Sequence, residues 1–296
     1  MNFKTNSAYI IGNGHKYCED FACHDILKDK NGKEIALAIV ADGCSSSLQN
    51  NGVRNPINVD LGSRIATVVA RNLLKKMLKE EKITEDFKFS NIYNMFIYYL
   101  NFELWRVIRS LEVKVDVLDT TLMICLCFPN GKCVFIAWGD GVMIRNSEGI
   151  GTFYRKISYT SNAPLYVSYF LDPKKKDAYI EEFGTERVQE ENLFYSKERD
   201  FPSEQKIDYE FQPVFIETDI NIEDKEILIM SDGSSSFIDI NGEQISTLDF
   251  LKWFSQNKTD GIGFVERKIN LLNRWKKKND IKNMDDFAVA GILISN

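Results

Sequence analysis

The chain has 296 residues, and its 37 lysines and arginines against 43 aspartates and glutamates leave a formal charge of −6. That balance excludes the basic face with which a nucleic-acid binder grips phosphates, and the basic clusters Lys174–Lys176 and Lys276–Lys278 are short. With 44% hydrophobic and 12% aromatic residues the chain can bury a large core, which excludes wholesale disorder.

The longest apolar runs, Ile35–Ala41 and Leu122–Phe128, fall far short of the roughly 20 residues of a membrane-spanning helix. Met1–Asn13 holds only the apolar stretch Ala8–Ile11, too short for the core of a signal peptide. The expectation is a cytoplasmic protein that contacts neither membrane nor nucleic acid. Cys18, Cys23, Cys44, Cys125, Cys127 and Cys133 read as small buried hydrophobes of a reducing compartment. Without a CxxC pair, and with only two histidines, the spacing argues against a structural zinc site.

In chain order, Ile35–Ala41 lacks polar alternation and reads as a strand buried on both faces, stopping at Asp42-Gly43. Apolar positions at three- and four-residue spacing predict an amphipathic helix over Val59–Lys79. A second is predicted from Ser90, a candidate N-cap, to Leu111. Four β-rich runs follow, Thr120–Phe128, Lys132–Trp138, Val142–Asn146 and Gly151–Ser158, with turn residues between them that suggest an antiparallel meander. The stretch from Tyr159 to Phe211 is polar and without clear period, and reads as an insertion or a substrate-facing loop set. Glu226–Met230 reads as a buried strand ending at Ser231-Asp232-Gly233. Helices are predicted over Thr247–Ser255 and Gly263–Lys277, and a final strand over Phe287–Ile294. Trp105, Trp138, Trp253 and Trp275 sit in apolar patterns and read as core, and His24, within a strand run, reads as structural. With no repeat and no Pro/Gly/Ser-rich linker, one domain over residues 1–296 is expected. Helices grouped between sheet-forming blocks predict an α+β layered sandwich.

The acids stand at particular places: Glu19-Asp20 before a strand, Asp42 at a strand's end, Asp140 between two strands, Asp232 at another strand's end, Asp285-Asp286 before the last. A single Asp-Gly after a strand is a common turn. Several carboxylates at the mouths of buried strands crowd one edge of a sheet, and such a cluster is costly unless cations neutralise it. All-oxygen ligation selects hard ions such as Mg²⁺ or Mn²⁺. Ser45–Ser47 and Ser234–Ser236 lack a recognisable base and read as loop and cap residues, so no nucleophile stands out.

Six short motifs in this order, Gly14-His15 to Glu19-Asp20-Phe21, Ala41-Asp42-Gly43, Thr120-Thr121-Leu122, Gly139-Asp140-Gly141, Ser231-Asp232-Gly233 and Asp285-Asp286, carry a resemblance over about residues 7–294. The chain resembles the metal-dependent serine/threonine protein phosphatases, the PPM or phosphatase 2C type, and particularly their compact bacterial branch. The resemblance implies a four-layer α-β-β-α sandwich, two central antiparallel sheets flanked by helix pairs. It implies Mg²⁺ or Mn²⁺, two ions with a possible third, and a phosphorylated protein as substrate. Asp42 would bridge the two ions, Glu19 and the Gly43 carbonyl would complete one, and Asp232 and Asp285 would hold the other. Asp140, helped by Asp232, would bind the third, and Asp20 and Asp286 would orient metal-bound waters. The activity implied is attack of a metal-activated water on phosphoserine or phosphothreonine.

His15 stands where well-known members place a phosphate-clamping arginine, and Cys44 where eukaryotic members have a histidine. His15 is either a proton donor and phosphate ligand or a satisfied structural residue. Lys16 and Arg54 are spare cations that could meet phosphate or simply be solvated. Two alternatives stay open: a phosphatase-like module that binds phosphopeptides with little or no catalysis, and a small-molecule or nucleotide phosphatase. For the latter there is no GxxxxGK[ST] loop.

Overall fold

The apolar run that opens the sequence pattern is buried on two faces, and the same holds for every central strand. The computed structural model describes residues 1–43, 60–84, 90–149, 151–159, 163–184, 186–194, 200–208 and 211–295, with backbone alone at 90–91, 186–194 and 200–208. The readings placed on Cys44, Ser45–Ser47 and Arg54 lie outside the described residues.

The chain opens with β1 (Asn2–Ile10), β2 (Phe21–Lys28) and β3 (Glu34–Ala41), then helices α1 (Leu61–Lys79) and α2 (Ser90–Ser110). Next come β4 (Leu122–Cys127), β5 (Lys132–Trp138), β6 (Gly141–Ser147), β7 (Gly151–Tyr159), α3 (Pro173–Phe183), β8 (Glu186–Phe194), β9 (Asp200–Asp208) and β10 (Val214–Asp219). The last part holds β11 (Asp224–Met230), β12 (Phe237–Ile238), α4 (Thr247–Gln256), α5 (Phe264–Asn279), β13 (Lys282–Asn283) and β14 (Phe287–Ser295). One antiparallel sheet has the order β1-β14-β11-β6-β7-β8-β9, a second β10-β5-β4-β3-β2, and β12-β13 form a small ribbon.

Side-chain parity shows how four layers arise. In β3, Ile35, Leu37, Ile39 and Ala41 pack with α1 and α2, while Ala36, Ala38 and Val40 enter the core between the sheets. In β14, Phe287 and Val289 pack with α4 and α5, while Ala288, Ala290 and Ile292 enter that same central core. Large side chains thus fill the sheet–helix layers, and alanines let the two sheets approach. A strand covered on both sides has no solvent face, so its sequence shows no period of two. The α-β-β-α sandwich expected from the sequence is the observed architecture.

Four expectations need correction. The four runs from Thr120 to Ser158 are two hairpins, β4-β5 in one sheet and β6-β7 in the other, not a single meander. The chain crosses between sheets at Gly139-Asp140, and Gly139 and Gly141 take φ values of 84° and 145° that favour glycine. The stretch 159–211 holds α3, β8 and β9 rather than loops alone. The strands are polar in sequence and give no apolar alternation. The helix carries its own signal, Asp172 at the N-cap accepting from the Lys174 N–H at 2.9 Å with Pro173 following. Finally, Trp105 and Leu111 are exposed, because the buried ridge of α2 runs through Phe96, Leu100, Leu104 and Ile108. Ser90 is the first residue of that helix rather than its cap. Trp138 is fully buried, and Trp253 stacks on Trp275 at 4.6 Å. Among the described residues no helix is long and apolar enough to cross a membrane.

Gly291 is a close-packed point of the β14–α5 layer. A Cβ there would stand 2.6 Å from Leu228 Cδ2 and 2.8 Å from Phe264 Cζ. Gly291→Ala is expected to lower stability by about 1–3 kcal/mol through overpacking, read as a reduced urea midpoint with an unchanged m-value. An unaltered midpoint would show that this layer yields freely.

Candidate active site

The parity that builds the central core also delivers the acids. Continuing each strand past its end on the inter-sheet side leads from Val40 to Asp42, from Ala288 back to Asp286, from Ala22 back to Asp20 and from Ile229 to Ser231. Because β11 and β14 are antiparallel neighbours, with Met230 opposite Val289, the end of one lies beside the start of the other. Met230 also pairs with Val142, so the sheet crossing at Asp140 falls at the same end of the sandwich.

Asp42 is held by its backbone. Its N–H donates to Thr121 Oγ1 at 3.0 Å, and its carbonyl accepts from Thr120 Oγ1 at 2.6 Å and from the Thr121 N–H at 2.9 Å. Gly43 continues this pairing with Thr120. The carboxyl of Asp42 stands beside those of Asp20 and Asp232, whose charges bear on it. Ser231 Oγ donates to Asp20 Oδ2 at 2.6 Å while accepting from the Ala288 N–H at 3.0 Å.

Asp286, 2% exposed, gathers the segment between β1 and β2. Its Oδ1 accepts from the Gly12 N–H at 2.6 Å, its Oδ2 accepts from the Glu19 N–H at 2.5 Å, and His15 Nδ1 lies 3.1 Å from Oδ1. The Glu19 carbonyl accepts from Ser63 Oγ at 2.5 Å, so the first turn of α1 props this segment from the other side. Gly233 is set by close approach, since a Cβ there would fall 1.8 Å from the Asp286 carbonyl oxygen.

The electrostatics are those of buried like charge. Burial raises Asp42 well above the usual carboxylate range, and the charges of Asp20 and Asp232 raise it further. Burial does the same to Asp140, with Asp232 adding to it, and to Asp232, with Asp285 adding to it. Asp20 is pushed up to about 7 by burial, against hydrogen bonds from Asp42 and Ser231 that favour its charge. Asp20 Oδ1 and Asp140 Oδ1 are buried with no protein partner. Orphaned carboxylate oxygens in an all-oxygen, mutually repelling set fit hard divalent cations. Among the described residues no three of these carboxylates close to within 4.8 Å of one another, so the set is spread rather than a single tight nest.

The structure therefore brings Asp20, Asp42, Asp140, Asp232 and Asp285 into one interacting group, with Glu19 buried beside it and His15 tied to Asp286. Asp20, expected behind the metal ligands, stands beside Asp42. Lys16 instead sits over the Tyr17 ring at 5.2 Å. Ser235 and Ser236 turn back on the carbonyls of Asp232 and Gly233, as turn-capping serines do. Sequence reasoning gave no role to Thr120, Thr121, Ser231 or Ser63. Their signal was the small polar residue adjoining an apolar run.

A family model for protein phosphatase 2C matches residues 11–261. The chain belongs to the protein phosphatase 2C family. Asp285 and Asp286 lie past the matched span. Among solved structures, a point mutant of a bacterial serine phosphatase is similar at 13% identity and TM-score 0.57, with 100% of each chain covered. The serine/threonine phosphatase of S. agalactiae is similar at 16% identity and TM-score 0.54, covering 99% of this chain and 100% of the other. The Mycobacterium tuberculosis serine/threonine phosphatase PstP/Ppp is similar at 13% identity and TM-score 0.51, with 99% of each covered. At these identities the likeness is one of fold. Among curated proteins none matches the sequence. The phosphatase 2C family is generally dependent on Mg²⁺ or Mn²⁺, which agrees with the donor set found here.

The raised pKa of Asp20 has a definite sign. Its folded-state value near 7 exceeds the unfolded 3.8, so folding takes up a proton between these values. Stability falls as pH rises through that window, and the loss is complete above it. Asp20→Asn keeps an acceptor for Ser231 and removes one charge. In chelator it is expected to stabilise the protein by about 1–3 kcal/mol at pH 8 and to flatten the decline of melting temperature between pH 4 and 7. A melting curve no more stable than wild type would contradict the burial argument.

Proposed function

We propose that this member of the phosphatase 2C family is a single-domain cytoplasmic phosphomonoesterase acting on phosphoserine and phosphothreonine in proteins. The observation that supports it is the group of buried, mutually repelling carboxylates with orphaned oxygens at the sheet mouths. Asp42, standing beside both Asp20 and Asp232, is suited to bridge two ions. Asp232 and Asp285 would hold one, Glu19 and the Gly43 carbonyl the other, and Asp140, with Asp232, a third. Bound there, Mg²⁺ or Mn²⁺ supplies Lewis acidity that lowers the pKa of coordinated water and neutralises phosphate charge.

The chain's own residues have separate tasks in this reading. Thr120 and Thr121 fix the Asp42 backbone, so its carboxylate need not reorganise during reaction. Asp20, steadied by Ser231, orients water beside Asp42. Asp286 engages His15 through Nδ1 and leaves Nε2 as the atom that can give a proton to the departing serine or threonine oxygen. With that proton supplied, the leaving group departs as an alcohol and no covalent enzyme intermediate is required.

Hydrolysis of an aryl phosphate and of a phosphothreonine peptide, with Mn²⁺, with Mg²⁺ and with chelator, tests the reading. Asp42→Ala is expected to lower kcat at least about 10³-fold, the scale of a lost electrostatic contributor, while circular dichroism stays native. Turnover that persists in this variant or in chelator would refute the two-ion assignment. Peptide binding without turnover in the wild type would favour a binding module.

A further inference from the structure

Away from the carboxylates, the central core holds a second group of ionisable side chains that phosphate chemistry does not use. Cys125 and Cys127 project from β4 and Cys133 from β5, all into the space between the sheets, and all are buried. Strand register brings them together. Cys127 stands directly opposite Cys133 in the β4-β5 hairpin, and Cys125 is two residues back on the same face. Cys133 Sγ lies 3.5 Å from Cys127 Sγ and 3.6 Å from Cys125 Sγ, and all three sulfurs fall within 4.8 Å of one another. Among the described residues this is the one group of ligand-type atoms gathered so tightly.

From this convergence we propose that Cys125, Cys127 and Cys133 form a three-thiolate site for a soft monovalent ion, copper(I). Three sulfurs around a metal at about 2.3 Å stand about 3.8–4.0 Å apart, so the observed spacing needs only a few tenths of an ångström of expansion. Thiolate donors select soft ions, and the hard ions suited to the carboxylate group prefer oxygen. The number of donors separates the soft candidates. Structural zinc takes four ligands, whereas copper(I) is stable with three. No histidine, carboxylate or fourth thiol joins the tight group among the described residues.

The surroundings favour the charged form of one member. Hydrogen bonds from Cys125 and Cys127, and then the Arg145 guanidinium, hold the Cys133 thiol well below its usual range against the effect of burial. Binding releases the remaining thiol protons without any change of oxidation state, so uptake tightens as pH rises. At the hairpin end a surface hollow of about 460 Å³ is lined by Phe3, Glu34, Pro129 and Asn130, and Phe3 belongs to the same core cluster as the thiols.

The test is an anaerobic titration of the full chain with copper(I) held by a coloured chelator, ascorbate keeping the metal reduced. The protein is expected to withdraw one equivalent and to develop near-ultraviolet thiolate-to-copper absorption. Cys133→Ala should abolish both, while Cys23→Ala, on β2 outside the group, should leave both intact. Circular dichroism establishes that the variants fold. If Cys133→Ala does not, Cys125→Ala serves as the second ligand deletion and should weaken uptake. No uptake by the wild type, equal uptake by a folded ligand-deletion variant, or preferential uptake of zinc would overturn the proposal.

Discussion

Like charges brought to one place and buried there are the constraint around which this molecule is arranged. Asp20, Asp42, Asp140, Asp232 and Asp285 repel one another at the end of the sandwich, and burial strengthens that repulsion. Lys156 draws Asp140 down only weakly against burial and Asp232. What holds the group is the backbone: Thr120 and Thr121 on Asp42, and the N–H groups of Gly12 and Glu19 on Asp286. Those hydrogen bonds fix where the segments that carry the acids stand, so the site is built by the secondary structure rather than added to it.

The double burial of the strands explains how the acids reach their places. A strand with one wet face presents alternate residues to solvent, and a carboxylate at its end could point outward at no cost. Here the inter-sheet face is lined by Ala36, Ala38, Ala137, Ala288 and Ala290, and the sheets come close enough that anything continuing that face enters the mouth between them. Asp20, Asp42, Thr121 and Ser231 all continue it. The sheet crossing at Gly139-Asp140-Gly141 supplies the remaining acid, with glycine where the backbone needs positive φ.

Much of this was legible in the sequence. The runs at residues 35–41, 132–138 and 287–294 lie inside or match observed strands because a doubly buried strand is apolar throughout and cannot be confused with an amphipathic helix. The acids were legible as strand-terminal residues. Their convergence was not, since it depends on pairing: nothing local to Asp232 states that β11 lies between β14 and β6. The split of four strands into two hairpins was invisible for the same reason, because a tight turn and a sheet crossing both call for Gly-Asp-Gly. The strands β8 and β9 were missed because their sequences are polar and carry no apolar alternation, and Trp105 was misplaced because its apolar neighbours belong to an adjacent ridge of α2.

The same parity has a consequence at the other end of β4. Thr121, just before that strand, and Cys127, at its end, lie on one face, about 20 Å apart at the rise of an extended chain. The face that ends in oxygen donors at the carboxylate mouth thus carries sulfur donors toward the hairpin, in Cys125, Cys127 and, across the ladder, Cys133. Hard and soft ligands are kept apart by the length of the sheet. An ion suited to one set gains little from the other, and Met123 and the alanines of the inter-sheet face stand between them. One structural rule, alternation of side chains on a strand covered on both sides, therefore places both groups and keeps them chemically independent.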